Sequence, residues 1–228
     1  MKKIEIEDIF KLLTDWKSIP SYQLERRADI FFAYYLPEIL TECLMEKLEK
    51  ELKDKLKDER ITRGNIIPEF PLLKSRFEVS HNSKRKNDSR KVDYVVFGDN
   101  IFYLVELKTD MKSIDETQKR YMAQATKEKL SCLISDIEKL AESQSKGRYK
   151  EKYACLTKRI NDQIERLKKA GKKPDDLDQV AVYVQPYDSK PFKEGYVITF
   201  EEVATHIEKY DSRFSDFLRN ILQNKKSR

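Results

Sequence analysis

The feature that most constrains this sequence is a pair of apolar segments, residues 92–97 and 101–108, separated only by Gly98-Asp99-Asn100. Both segments are rich in β-branched, aromatic and aliphatic residues, and the three separating residues are typical of a tight turn, so we predict a β-hairpin. If Asp99 and Asn100 are the central residues of a primed turn, Asp93 lies directly opposite Glu106. Cβ atoms in directly opposite positions of a sheet are about 4.5 to 5.5 Å apart. The pattern therefore predicts that two carboxylates meet near the end of the hairpin away from the turn.

Hydrophobic periodicity predicts helices and strands in most of the remaining chain. Helical spacing covers residues 21–56, where Pro37 should kink or divide the pattern, and residues 113–143. Residues 66–80 are predicted to be extended, and their prolines favour an edge or irregular strand. The other predicted elements are a helix at 153–167, strands at 179–185 and 196–200, a helix with Thr199 and Glu202 as its capping box, and a last helix at 212–222.

This order of elements predicts the α/β class, with a mixed four- to five-stranded sheet flanked by helices. We expect an N-terminal helical segment at 1–20 and a core at 21–185 that carries a helical insertion at about 144–174. A strand and a helical cap at 186–228 should complete the fold.

Composition excludes several classes of site. The 5 glycines are too far apart to form a GxGxxG or P-loop motif, and the 2 histidines argue against a His-rich zinc site. The 3 cysteines form no CxxC pair, which favours a reducing, cytoplasmic location. We expect no membrane association, because the longest apolar run is too short to span a bilayer. A net charge of +6 permits a polyanionic partner without requiring one.

The facing carboxylates of Asp93 and Glu106 are the strongest chemical signal. Like charges directly opposite on a sheet are destabilising, so something positive should lie between them. Mg²⁺ suits this position because it binds carboxylate oxygens and leaves places for water and phosphate oxygens. Strand alternation adds Lys108 to the face of Glu106, where it can orient or help deprotonate a water molecule, or stabilise charge on phosphate. The alternative interpretation is a surface hairpin with an ordinary Asp, Glu and Lys.

Asp93, twelve intervening residues and then Glu106-Leu107-Lys108 resemble the active-site motif of the PD-(D/E)XK nuclease superfamily. The resemblance covers roughly residues 21–185 and implies a restriction-endonuclease-like core; residues 68–72 resemble bacterial members of mostly unassigned role. It implies that Asp93 and Glu106 are metal ligands, that the Leu107 backbone carbonyl is a further ligand, and that Lys108 is the catalytic lysine. Val92 stands where the motif has its proline.

The resemblance also implies accessory residues outside the hairpin. Many members add an acid from the first helix, for which Glu38 is the first candidate and Glu25 the second. Some branches place a glutamine and a tyrosine on the helix after the third strand, and Gln118 and Tyr121 stand near that position.

A basic segment immediately precedes Asp93. Residues 81–91 contain Lys84, Arg85, Lys86, Arg90 and Lys91 against one acidic residue. Such side chains can neutralise phosphates without reading sequence, although a solvated loop is an open alternative.

The combined expectation is a Mg²⁺-dependent nuclease, with Mn²⁺ as a substitute, that hydrolyses phosphodiester bonds in DNA. The alternative is a catalytically silent nuclease-fold module that binds nucleic acid or a protein partner. A homodimer or a partner subunit remains open at this level.

Overall fold

A mixed β-sheet lies at the centre of the fold. The computed structural model describes residues 27–77, 89–108, 116–144, 146–188 and 195–223. Within these ranges, five strands pair in the order in which they follow one another along the chain. They are β1 (Ile66–Leu73), β2 (Ser89–Phe97), β3 (Ile101–Leu107), β4 (Asp178–Gln185) and β5 (Tyr196–Thr199). β1, β2 and β3 are antiparallel, whereas β3, β4 and β5 are parallel. The predicted α/β class with a mixed sheet is confirmed.

Helices cover both faces of this sheet. The described helices are α1 (Arg27–Glu38), α2 (Lys50–Lys57), α3 (Lys74–Phe77), α4 (Glu116–Ala125), α5 (Leu130–Ser143), α6 (Lys150–Lys169), α7 (Phe200–Ile207) and α8 (Ser212–Gln223). Helices α4 to α6 form the crossover between the parallel strands β3 and β4, a connection that such strands require. No helix in the described ranges is long and apolar enough to cross a bilayer.

Strand alternation divides the core into two layers. Phe102 and Leu104 of β3 pack with helices α4, α5 and α6, on what we call the α4–α6 face. Tyr103 and Val105 pack with α1, α7 and α8 on the opposite face, the α1/α7/α8 face. Both layers are apolar because the central strands are covered on both sides, as in other α/β sheets.

The first predicted helix is divided, as Pro37 suggested. Pro37 lies inside the last turn of α1, which continues as a π-helical segment, Ile39–Cys43, before α2 begins at Lys50. The predicted helix at 113–143 is wrong as a single element, because α4 ends at Ala125. Glu128 lies in the break, where its carbonyl accepts a hydrogen bond from the Gln179 side chain and its carboxylate pairs with Arg76.

Of the edge or irregular strand predicted for this segment, the edge alternative holds among the described residues: β1 is the first strand of the sheet order. The helical turn α3 replaces extended chain beyond Leu73. The Thr199 and Glu202 capping box at the start of α7 is also confirmed. Residues 1–20 and Glu25 lie outside the described residues.

The β2–β3 connection has two residues, but it is not a primed turn. Gly98 N donates to Ile101 O at 2.9 Å, which leaves Asp99 and Asn100 as the loop. A primed turn requires positive φ at one or both central residues. Among the described non-glycine residues only Glu69 has positive φ, so the predicted turn type is wrong. Side chains from other segments hold this turn instead.

Candidate active site

The hairpin pairs in the predicted register. Tyr94 pairs with Val105 and Phe97 with Phe102, and the ladder ends at the Tyr94–Val105 pair, next to Asp93 and Glu106. Asp93 lies close enough to Glu106 for its charge to raise the pKa of the Glu106 carboxyl group. The two acidic side chains therefore meet on one side of the sheet, as the sequence predicts.

Glu106 is a buried carboxyl group with a charged neighbour on either side. Its side chain is 1% exposed, and Lys108 Nζ donates a hydrogen bond to Glu106 Oε1 at 2.7 Å. Burial and the charge of Asp93 raise the pKa of Glu106 to about 8, against the opposing effect of Lys108. At this position the Glu106 side chain is therefore stable either as the neutral carboxylic acid or as a carboxylate beside a bound cation.

Asp93 contacts the β3 backbone directly. Its Oδ2 accepts a hydrogen bond from Leu107 N at 2.9 Å. Leu107 is the last residue of β3, so this contact fixes Asp93 at the end of the strand that carries Glu106. The backbone carbonyl of Leu107, the third ligand implied by the resemblance, belongs to the same residue.

The parallel strand β4 supplies two neighbours that the sequence did not identify. Lys108 N donates to Val184 O at 2.8 Å, and Tyr183 pairs with Glu106 across the ladder. Tyr183 is buried, and a Cβ on Gly195 would lie 2.9 Å from its ring. Sequence periodicity could identify β4 as a strand, but it carries no information on which strand pairs with β3.

The available donors fit a hard cation, although the set is small. Among the described residues, no group of three or more His, Cys, Asp or Glu side chains is arranged for a metal. Asp93 and Glu106 offer carboxylate oxygens, and Leu107 offers a backbone carbonyl oxygen. Mg²⁺ accepts such a set because it is bound through one or two carboxylates and keeps several waters. The burial of the Glu106 carboxyl group and the proximity of Asp93 are the observations that support the fit.

The accessory acid Glu38 is not brought to this pair. Glu38 Oε1 accepts a hydrogen bond from Arg63 Nη2 at 3.2 Å. Its helix α1 packs on the α1/α7/α8 face, opposite the face that contains the Leu104 and Glu106 side chains. Packing of the apolar side of α1 therefore decides the position of Glu38.

Tyr121 lies on the α4–α6 face and contacts β2. Its hydroxyl donates to Lys91 O at 3.2 Å, and its ring lies 5.8 Å from the Arg90 guanidinium carbon. Gln118 is in the same helix, but its side chain lies outside the described residues. Tyr121 is therefore close to the start of the strand that carries Asp93.

Two of the five predicted DNA-binding residues are in the described part of β2. Arg90 is partly exposed, and burial lowers the pKa of Lys91. Lys84, Arg85 and Lys86 lie outside the described residues.

The arrangement can bind a hard cation or hold a proton on Glu106, and in either case the Lys108 ammonium group lies beside Glu106. Comparison of the chain with protein-family models, with curated proteins and with solved structures finds no match. The functional conclusion therefore depends on the geometry of the hairpin and on the motif that it carries.

Proposed function

We propose that this protein is a metal-dependent nuclease that hydrolyses phosphodiester bonds in DNA. The observation that carries the proposal is the proximity of Asp93 to the buried Glu106 carboxyl group, together with Lys108 Nζ at 2.7 Å from Glu106 Oε1. The cluster lies at the end of the hairpin away from the turn, where burial and the charge of Asp93 both raise the pKa of Glu106. Its cost in stability is understandable if the cluster serves binding and catalysis.

Asp93, Glu106 and the Leu107 carbonyl would hold the metal ion. Mg²⁺, or Mn²⁺ in its place, would supply positive charge for the phosphate oxygens and lower the pKa of a bound water molecule. Burial of Glu106 strengthens electrostatic interactions at this point, because the local dielectric is lower than in water.

Lys108 has a separate task in this proposal. Its ammonium group is held by Glu106 and its backbone N–H by Val184 of the neighbouring strand. Because both the side chain and the backbone of Lys108 are held, its ammonium group has a defined position. From there it can orient the attacking water or stabilise charge that develops on the phosphate. A preorganised cation of this kind needs little rearrangement during the reaction.

The choice of DNA is supported by the resemblance and by the charge of the segment before Asp93. Residues 81–91 carry five basic side chains against one acidic side chain. Lysine and arginine contacts to phosphate give affinity that is independent of sequence and falls as salt concentration rises. We therefore propose DNA backbone recognition without base readout by this segment.

A digestion panel tests the proposal. Supercoiled, linear, single-stranded and branched DNA are incubated with the wild-type chain, Asp93→Ala and Lys108→Met, in Mg²⁺, Mn²⁺ or EDTA. Lys172→Met is the control, because Lys172 contacts the turn end of the same hairpin. We expect metal-dependent cleavage by the wild type and the control, with loss in the other two variants. Absence of cleavage of every substrate by the wild type would contradict the proposal.

A catalytically silent binding module is the second candidate. It is favoured by the small donor set, since the Glu106–Lys108 ion pair and a proton on Glu106 can stabilise the buried Glu106 carboxyl group without metal. Calorimetric titration with Mn²⁺ separates the candidates. The nuclease should bind Mn²⁺ and lose it in Asp93→Ala, whereas the silent module should bind DNA in EDTA as well as in Mn²⁺.

A further inference from the structure

Glu69 has an unusual backbone conformation for a residue within a strand. Its φ is 55°, and it is the only non-glycine residue with positive φ in the described ranges. Residues with a side chain adopt this left-handed region only at an energetic cost, so the surrounding structure must impose it. Glu69 is also buried, with 7% of its surface exposed.

The position of Glu69 in the ladder connects it with Asp93. Pro68 pairs with Tyr94 and Phe70 pairs with Val92, so Glu69 lies opposite Asp93. The direct pairing between β1 and β2 is interrupted at this one position and resumes with unchanged register. The left-handed residue therefore faces the metal-ligand candidate across the two strands.

In both strands, the alternation of side chains between the two faces of the sheet is interrupted at this point. Ile67 and Phe70, three residues apart in β1, both pack on the α4–α6 face. Val92 and Val95, three residues apart in β2, pack on that face as well. Regular alternation would put residues three apart on opposite faces. The ribbon of β1 and β2 is therefore kinked between these pairs.

The kink coincides with the end of the β2–β3 ladder. Gly98 N donates to Ile101 O, so hydrogen-bonded pairs should recur at every second position and Leu107 N should donate to Val92 O. Asp93 Oδ2 accepts the Leu107 hydrogen bond instead. β2 therefore separates from β3 at Asp93, and the Asp93 side chain occupies the place of a backbone acceptor.

We infer that Glu69 is a positioning residue, whose left-handed backbone produces the kink that turns the Asp93 carboxyl group toward Leu107 N and Glu106. The effect on metal binding rests on the proposed function, whereas the effect on the Asp93–Leu107 hydrogen bond does not. The Glu69 carboxylate lies near Lys91, where its charge opposes the effect of burial on the Lys91 pKa. A role of this charge is the competing explanation for the residue.

Three substitutions separate backbone from charge. Glu69→Gly and Glu69→Ala both remove the side chain, but only glycine adopts positive φ without steric cost. Glu69→Gln removes the charge and keeps a side chain of similar size. The first measurement is the hydrogen-exchange rate of the Leu107 amide in EDTA, which reports on the Asp93 contact without metal. The second is the dissociation constant for Mn²⁺ by calorimetry.

We expect the Leu107 amide to exchange about tenfold faster in Glu69→Ala than in Glu69→Gly, in line with the cost of a left-handed residue. The Mn²⁺ dissociation constant should differ by a similar factor. Equal exchange rates in these two variants would overturn the inference. A rate in Glu69→Gln about tenfold above that of the wild type would overturn it too, because it would assign the effect to the charge of Glu69. If Glu69→Ala does not fold, Glu69→Asn and Glu69→Ser replace the pair, because asparagine tolerates positive φ better.

The two proposals fail in different ways. A wild-type chain that binds no Mn²⁺ would overturn the metal site, while the exchange ratio at Leu107 would still decide the role of Glu69. A wild-type chain that binds Mn²⁺ with equal Leu107 exchange in the glycine and alanine variants would overturn only the positioning role.

Discussion

The two ends of the β2–β3 hairpin each bury a glutamate, and they use it in different ways. At the turn end, the Glu59 carboxylate accepts hydrogen bonds from Asn100 N at 2.9 Å and Ile101 N at 3.2 Å. Arg166 donates to Phe97 O at 2.7 Å and to Gly98 O at 2.8 Å. Lys172 Nζ completes the set with a bond to the Asn100 side chain at 2.6 Å. Charged side chains here pair with backbone groups that the turn leaves unsatisfied.

At the open end, away from the turn, Glu106 meets another carboxyl group instead. Burial raises the pKa of Glu106, the charge of Asp93 raises it further, and Lys108 acts in the opposite direction. At Glu59, burial raises the pKa but the hydrogen bonds from Ile101 and Asn100 oppose it. The difference teaches that a buried glutamate with backbone donors stabilises a fold, whereas one that faces a second carboxylate is suited to bind a cation.

The largest expected effect is on catalysis at the open end. Under the proposed function, Glu106→Gln should reduce metal-dependent DNA cleavage at least about a thousandfold, because several kcal/mol of charge stabilisation would depend on the bound metal. The matched control is Glu59→Gln, the same substitution at the other end of the hairpin. It should retain cleavage per folded molecule. Initial rates with saturating Mg²⁺ measure both, and equal loss in the two variants would contradict the division between the ends.

The second effect is a dependence of stability on pH. The pKa of Glu106 rises from 4.5 to about 8 on folding, so the native state holds a proton that the unfolded state lacks between these values. The free energy of unfolding should therefore fall across this range by up to about 1.4 kcal/mol per pH unit.

Urea unfolding in EDTA between pH 4.5 and 9 measures this dependence. Glu106→Gln should flatten the profile and be more stable than the wild type at pH 9. Glu59 contributes a slope of the same sign, because burial raises its pKa too, so Glu59→Gln serves as the comparison. A profile of Glu106→Gln as steep as that of the wild type would show that Glu106 ionises normally.

The third effect is on stability at the turn end. Glu59→Gln should lower the free energy of unfolding by about 1–3 kcal/mol, since the Asn100 and Ile101 N–H groups lose a charged acceptor and the new amide brings donors into a buried site. Denaturant unfolding at pH 7 measures the loss. Glu106→Gln should show no comparable loss, and a larger loss there than at Glu59 would reverse the assignment of the two ends.

The smallest expected effect concerns Lys172. Its Nζ donates to Asp99 O at 2.7 Å and to Asn100 Oδ1 at 2.6 Å in a partly exposed position. Lys172→Met should lower the free energy of unfolding by about 0.5–1.5 kcal/mol. Thermal unfolding checks this value, with Lys158→Met on the exposed side of α6 as the control. An effect no larger than in the control would mean that Lys172 does not hold the turn.

Part of the candidate site was readable from local sequence. A two-residue connection fixes the register of a hairpin, so Asp93 and Glu106 could be placed opposite each other without the correct turn type. Strand alternation likewise placed the Lys108 side chain on the same face as Glu106, to which it donates a hydrogen bond. The position of Glu38 could not be predicted, because it depends on which face of the sheet α1 covers.

The sequence by itself determined the hairpin, its register and the α7 capping box, since each depends on residues that are near neighbours in the chain. Only the tertiary structure decided the left-handed conformation of Glu69, the break between α4 and α5 and the pairing of β3 with β4. These features arise from contacts between segments far apart in sequence, whose energies outweigh local preference and leave no periodic pattern along the chain.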